Sequence, residues 1–311
     1  MKMRDQARLA RLDDALLAFS AERHPLPGVA DAHRRRVLLE QLIDSLHRVE
    51  YPKRLIERSM SPRRADPLDA EYFDPIKAAA YHRSQGAHDE ACWLIFLFVH
   101  FGARPAGNWR FIREIYGGLG EHLWEWKRVS GSPSEFGEWI EEHTNVLRRP
   151  GPGGGFGNHR KYETLGATER VVRSYVNWVG EYGHAALFAR AEKVAVERGG
   201  DVPRTAFDAL YHSMAAVWRF GRLAKFDYLS MIGKLDLAFI EPGSTYMEGA
   251  TGPTSGARLL FAGDSAAEWP SGQLEELLHE LEGALGVGMQ ALEDAICNWQ
   301  KDPDRFIHFG G

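Results

Sequence analysis

Cysteine is scarce: the chain of 311 residues holds two, Cys92 and Cys297, each inside an apolar helical pattern. That excludes a disulfide framework and fits a reducing, cytoplasmic setting. No Cys-x-x-Cys pair and no His-Glu-x-x-His segment occurs among the thirteen histidines, so no zinc module or metalloprotease site is encoded. No Gly-x-Ser-x-Gly nucleophile elbow is present. The longest apolar run, "ACWLIFLFV", falls far short of the roughly 20 residues of a membrane span. The N-terminal stretch has no signal-peptide core, and a soluble protein is expected. Positive charge is not in excess either. The net charge is −5, so bulk charge does not advertise nucleic-acid binding.

Strand alternation is also missing, and helical periodicity takes its place. Leu38, Leu39, Leu42, Ile43, Leu46 and Val49 share one face. Val171, Val172, Tyr175, Val176 and Val179 form another, and Leu274, Leu277, Leu278, Leu281 and Leu285 a third. "HDEACWLIFLFVHFG" reads as a buried helix, opened by Asp89 and Glu90 and closed by Gly102. A predominantly α-helical fold of about ten helices follows. Residues 148–157 hold five glycines and two prolines, which no regular element accommodates. The chain therefore divides into an N-terminal helical lobe (1–147), a Gly-rich loop (148–169) and a C-terminal helical lobe (170–311).

Charge is uneven along the chain. Between Arg34 and Arg64 nine Lys/Arg face four Asp/Glu, whereas between Asp264 and Asp304 ten acids face one base. The first run can meet a polyanion or form a solvated face.

Four stretches carry candidate chemistry. "GPGGGFGNHRKY" lacks the Gly-Lys-Ser/Thr ending of a nucleotide P-loop, but His159, Arg160, Lys161 and Tyr162 place four donors beside a pliant backbone. Charged donors make the strongest bonds to phosphate oxygens. In "SMAAVWRFGRLAKFDYLSMIGKL", Arg219, Arg222 and Lys225 recur every third residue and read as one basic helix side, with Asp227, Tyr228 and Lys234 following. In "PGSTYMEGATGPTSGARLLF", glycines precede an apolar helix start, the pattern of a hairpin that presents backbone N–H groups to a phosphate. Gly249, Thr251, Gly252, Gly256 and Arg258 are its candidate DNA contacts, in a turn between helices over 249–258. In "GVGMQALEDAICNWQKDPDR", beside Glu293, Gln290, Asp294, Asn298 and Lys301 form a polar ridge at helical spacing if their face points inward, and an ordinary solvated helix face if it points outward. No pattern demands a metal or cofactor; Mg²⁺ on a pyrophosphate group is compatible.

Together these blocks resemble the alpha-glutamyl/putrescinyl thymine pyrophosphorylases, clade 3. The resemblance rests on "DEACWLIFLFVHFG", "GFGNHRKYETL", "SYVNWV", "FDALYHSM", "FGRLAKFDYLSMIGKL" and the last two stretches above, and runs from about residue 60 onward. "LEDAICNWQK" also looks like the "E-x-x-LCEFDK" block of clade 2, with Asn298 and Gln300 departing from that clade's acids.

The resemblance implies a fold related to helix-hairpin-helix DNA glycosylases. It also implies action in thymidine hypermodification of phage DNA, where an amine or amino acid nitrogen displaces pyrophosphate from 5-pyrophosphoryloxymethyluracil. The partners implied are DNA containing modified thymine and the amine co-substrate, with no membrane. On that chemistry His159, Arg160, Lys161, Tyr162, Arg222, Lys234 and Asn298 are candidates to bind the substrate and its leaving group. Asp227, Glu293 and Asp294 are candidate catalytic acids, one of which takes the proton of the attacking amine. Two competitors remain. One is a base-excising glycosylase using Asp264, and the other is a non-catalytic DNA-binding protein using the Arg34–Arg64 run.

Overall fold

The computed structural model describes residues 3–102, 109–149, 155–157 and 163–309. Among these it contains fifteen α-helices and no strand. They are α1 Met3–Glu22, α2 Ala32–Leu55, α3 Pro75–Ser84, α4 His88–Phe101, α5 Arg110–Tyr116, α6 Trp126–Gly131, α7 Pro133–Glu142, α8 Thr144–Leu147, α9 Leu165–Val179, α10 Gly183–Arg198, α11 Val202–Ser213, α12 Arg222–Lys234, α13 Gly252–Ala262, α14 Ser271–Leu285 and α15 Met289–Trp299. No helix among them is long and apolar enough to cross a membrane.

Two compact units result. The first joins residues 1–51 to 242–311, and the second spans 52–241. The division expected at 148–169 coincides with neither boundary. Helices on both sides of the Gly-rich stretch belong to the second unit, where α7 packs along α9. The approach is close: a Cβ on Gly137 would lie 2.1 Å from Glu169 Cγ. Composition marked a loop there, but it carries no information on whether the flanking helices pack back together.

The first unit is built from stripes read in the sequence. Leu38, Leu39, Leu42 and Ile43 of α2 and Leu274, Leu278, Leu281 and Leu285 of α14 are buried in one core with Leu12, Leu16 and Phe19 of α1. Burying each such side chain contributes about 1.5–3 kcal/mol. In the second unit α4 is buried nearly all round, as its almost uninterrupted apolar sequence requires. Phe96 of α4 stacks on Tyr175 of α9, ring centroids 3.9 Å apart.

Two expected local structures differ. The stretch 249–258 is mostly helix, since α13 starts at Gly252 with Pro253 in its first turn, where a fixed φ favours initiation. The helix before it, α12, ends at Lys234, so the turn does not link two consecutive helices directly. The "SMAAVWRFGRLAKF" stretch is also broken. Arg219 has φ 58 and Gly221 is extended, so α12 begins at Arg222 and Arg219 lies outside it.

Candidate active site

In the first unit, α2 and α15 bring their polar positions together. Arg48 donates through Nε and Nη2 to Asp294 Oδ2, at 3.0 and 2.7 Å. Nη1 reaches Asp44 Oδ2 and the Phe309 carbonyl, and Nη2 also reaches Ser45 Oγ at 3.0 Å. Asp294 Oδ1 accepts from Asn298 Nδ2 at 2.9 Å, and Asn298 Oδ1 accepts from Lys301 Nζ at 2.8 Å. Lys301 Nζ sits 4.1 Å from the Phe309 ring centroid. Burial opposes the Arg48 charge, but Asp294 and Asp44 outweigh it and hold the guanidinium pKa above its usual value.

Three of the four ridge positions, Asp294, Asn298 and Lys301, are thus joined by hydrogen bonds, and Arg48 is a member that helical spacing on α15 could not supply. Both oxygens of Asp294 are engaged by donors, and Asn298 is 7% exposed. Glu293, buried at 6%, falls one residue away and outside this ridge.

The residues after α15 run beside α2. His33 contacts the Asp304 carbonyl at 2.7 Å and Arg34 pairs with its carboxylate at 2.8 Å. Gln41 donates to the Ile307 carbonyl at 2.9 Å, and His308 meets Asp44 at 2.9 Å. Within the first unit the basic and acidic sequence runs thus meet at Arg34–Asp304 and Arg48–Asp294. Arg35 pairs with Asp13, Arg36 with Glu40 and Arg63 with Asp69. Arg34, Arg35, Arg36, Arg48 and Arg63 of the Arg34–Arg64 run are thus held in ion pairs.

The glycines of the expected DNA hairpin have a packing reason. A Cβ on Gly252 would lie 2.7 Å from Cys297 Sγ, and one on Gly256 2.3 Å from the Ile296 carbonyl oxygen. Spaced four residues apart, they let α13 approach α15 closely. Gly249 (φ 72) makes the turn before α13, and Thr251 is exposed at the helix start. Arg258 is turned inward to the Trp269 carbonyl, 3.3 Å away. Asp264 is exposed and accepts from the Ala266 amide at 2.9 Å, within its own turn.

In the second unit a chain of hydrogen bonds runs from surface to core. Asp89, in the first turn of α4, has a side chain 45% exposed; that of His184 is fully buried. Asp89 Oδ1 lies 2.8 Å from both Nδ1 and the backbone N of His184. Gly183 makes this contact: it has φ 76, and a Cβ there would lie 2.8 Å from Asp89 Oδ2. His184 Nε2 is 2.6 Å from Tyr175 Oη, which is 2.8 Å from Tyr228 Oη. The hydrogen bond from His184 holds the Asp89 carboxyl below its ordinary range, and burial lowers the His184 pKa. Asp89 is thus ionised beside a neutral imidazole with its proton on Nδ1, and Nε2 accepts from Tyr175. Burial keeps both tyrosines protonated.

Glu90 stands next to this chain. Tyr116 Oη donates to Oε1 at 2.7 Å and the Trp126 amide to Oε2 at 2.8 Å. Burial raises its pKa to about 7, with Glu125 and Asp89 adding to the rise. Two neighbouring carboxyls with proton affinities driven apart are a recognisable acid–base arrangement. The sequence offered Asp89 and Glu90 only as helix-start charges, and nothing in "EYGHAALF" singled out His184.

Among the predicted residues of the second unit, Arg222 opens α12, its guanidinium 5.2 Å from the Phe226 ring, and Lys234 closes it. Asp227 precedes Tyr228 within α12. Asp227, Arg222 and Lys234 thus belong to one unit, and Glu293, Asp294 and Asn298 to the other. His159, Arg160, Lys161 and Tyr162 lie outside the described residues. Glu163, which follows them, is buried, with Oε2 3.5 Å from Arg219. Among the described residues no three His, Cys, Asp or Glu side chains form a metal-holding group.

No curated protein and no solved structure gives a match. The residues of both clusters, and the glycine-packed α13, fall within residues 33–311, the span matched by the family model of alpha-glutamyl/putrescinyl thymine pyrophosphorylase clade 3, and the chain belongs to that family.

Proposed function

We propose that this chain displaces pyrophosphate from 5-pyrophosphoryloxymethyluracil in DNA with the nitrogen of an amine or amino acid. The observation that carries this proposal is the family match across residues 33–311. The Asp89–Glu90 pair supplies chemistry the reaction needs. An amine arrives largely as an ammonium ion, and a fixed carboxylate such as Asp89 attracts it. Glu90, with its pKa near 7, accepts the proton that frees the lone pair. The nitrogen then forms a bond to the methylene carbon, the carbon–oxygen bond breaks, and pyrophosphate leaves with the electron pair. Arg222, and the donors His159, Arg160, Lys161 and Tyr162, meet the charge that gathers on the leaving oxygens. Asp227, Lys234, Glu293, Asp294 and Asn298 have no separate step in this scheme.

Nucleoside mass spectrometry after incubating the protein with pyrophosphorylated hydroxymethyluracil DNA and a mixture of amines tests the proposal. The expected product is a thymidine heavier by one amine, with pyrophosphate released in equal amount. Free base, or unchanged nucleosides, would overturn it.

A further inference from the structure

We propose that Tyr116 and Trp126 are positioning residues for Glu90: together they fix both oxygens of its carboxylate, so that it meets the attacking amine in one orientation. The inference rests on the proposed role of Glu90 as proton acceptor. Tyr116 Oη donates to Oε1 at 2.7 Å, and the Trp126 backbone N–H donates to Oε2 at 2.8 Å. A donor on one oxygen alone leaves a carboxylate able to rotate. A donor on each oxygen stops that rotation and leaves lone pairs for an incoming N–H.

Both donors flank one loop. Residues 117–125 leave α5 after Tyr116 and return to α6 at Trp126. The Trp124 amide donates to the Tyr116 carbonyl at 2.8 Å, and Trp93 of α4 donates from Nε1 to the Trp124 carbonyl at 2.8 Å. The loop is thus tied to its own start and to the helix that carries Glu90. Gly118, Leu119 and Gly120 have φ 52, 56 and 96. A left-handed backbone at Leu119 is costly for a bulky side chain, and it persists where surrounding contacts hold it. Here it turns the chain back, so that both ends of the loop reach one carboxylate.

The donors are themselves held. Tyr116 is 1% exposed, and its ring stacks on Phe73 with centroids 6.2 Å apart. Burial, with the Glu90 carboxylate beside it, keeps the phenol protonated and therefore a donor. The Trp126 indole lies 4.6 Å from the His184 ring and 5.7 Å from that of Tyr175. Trp126 thus links Glu90 to the hydrogen bonds of Asp89. Burial and the carboxyls of Glu125 and Asp89 oppose the charge on Glu90, whereas both hydrogen bonds favour it.

Two variants of the full-length protein test this. Tyr116→Phe keeps the ring and deletes the hydroxyl, and Tyr116→difluorotyrosine keeps the hydroxyl and makes it a stronger donor. The Glu90 carboxyl is titrated by NMR without substrate, and turnover is followed against pH with pyrophosphorylated hydroxymethyluracil DNA and the mixture of amines. Tyr116→Phe should raise the Glu90 midpoint by about one pH unit, the worth of one hydrogen bond to a charged group. Turnover at pH 7 should then fall about fivefold, and its rising limb should move up with the carboxyl. Tyr116→difluorotyrosine should move both the other way. Tyr51→Phe, at an exposed position on α2, should move neither. A Glu90 midpoint that stays in place in both Tyr116 variants, or moves in the same direction in both, overturns the proposal. So does a loss of turnover equal at every pH. If Tyr116→Phe melts early, the second variant carries the test alone. Because the NMR titration needs no substrate, a protein without turnover fails the proposed function while the carboxyl still reports on its two donors.

Discussion

Two nitrogens of Arg48 converge on one oxygen of Asp294, at 2.7 and 3.0 Å, and so tie α2 to α15. The second carboxylate on Arg48, Asp44, also holds His308, so one arginine organises α2, α15 and the residues after it. Its side chain is 22% exposed, between the surface and fully buried cases.

Arg48→Ala should therefore cost more than a surface ion pair and less than a fully buried one, about 2 kcal/mol. Urea denaturation of the variant measures it. A change under about 0.5 kcal/mol would show that the cluster is incidental to the fold.

Glu90 governs a pH effect whose sign is fixed by its raised pKa of about 7. The folded state binds this proton more tightly than the unfolded state. The associated stability is present below the ordinary carboxylate range and is lost as pH rises through about 7. Glu90→Gln should unfold at a temperature less sensitive to pH across that window. If Glu90 is the base, the turnover of the parent protein rises through the same window, and the variant loses that limb.

Gly256 and Gly252 distinguish packing from phosphate contact. Gly256→Ala drives a Cβ to 2.3 Å from a backbone oxygen of α15, which cannot yield without moving the helix. A loss of about 2 kcal/mol or more is expected. Gly252→Ala meets the end of the Cys297 side chain, which can rotate, and should cost less. Thermal melts rank the two. Intact stability in Gly256→Ala with lost DNA affinity would instead restore the phosphate role.

Arg160 lies in the donor-rich sequence assigned to the leaving group. Arg160→Ala should lower turnover by roughly a hundredfold, the scale of a lost donor to developing charge, and weaken unmodified DNA binding only modestly. Single-turnover kinetics beside anisotropy separates the two effects, and normal turnover would remove Arg160 from the mechanism.

Periodicity made the helices legible. The stripes on α2, α9 and α14 and the ridge on α15 are local facts, visible within three turns of chain. The break at Arg219–Gly221 was not, because a left-handed residue inside an apolar pattern leaves no composition signal. Arg48–Asp294 and Asp89–His184 were invisible for another reason: each joins residues far apart in sequence, and only tertiary packing pairs them. The same holds for Arg34 with Asp304, which belong to two blocks of opposite charge some 270 residues apart. Gly252 and Gly256 show the opposite problem. The glycines stood out, but a tight helix contact and a phosphate cradle require the same residue at the same spacing.

Tyr175 is the link on which the buried chain depends, since its hydroxyl is 2.6 Å from His184 Nε2 and 2.8 Å from Tyr228 Oη. Tyr175→Phe keeps the ring stacked on Phe96 and removes only that oxygen. Two buried polar groups then lose a partner at once, at a cost of about 1–3 kcal/mol each. His184 Nε2 no longer accepts a hydrogen bond from the Tyr175 hydroxyl, so the preference for a proton on Nδ1 weakens. Asp89 then loses part of the hydrogen bonding that keeps it ionised, and its pKa should rise toward the ordinary carboxylate value. A purely structural role predicts only the drop in stability. A role in holding Asp89 as a fixed anion predicts in addition weaker amine binding, seen as a raised KM for the amine, with the KM for DNA unchanged. Stability, the Asp89 titration followed by NMR, and the two KM values together decide it: a stability loss alone, with Asp89 and the amine KM unmoved, would confine the chain of hydrogen bonds to the fold.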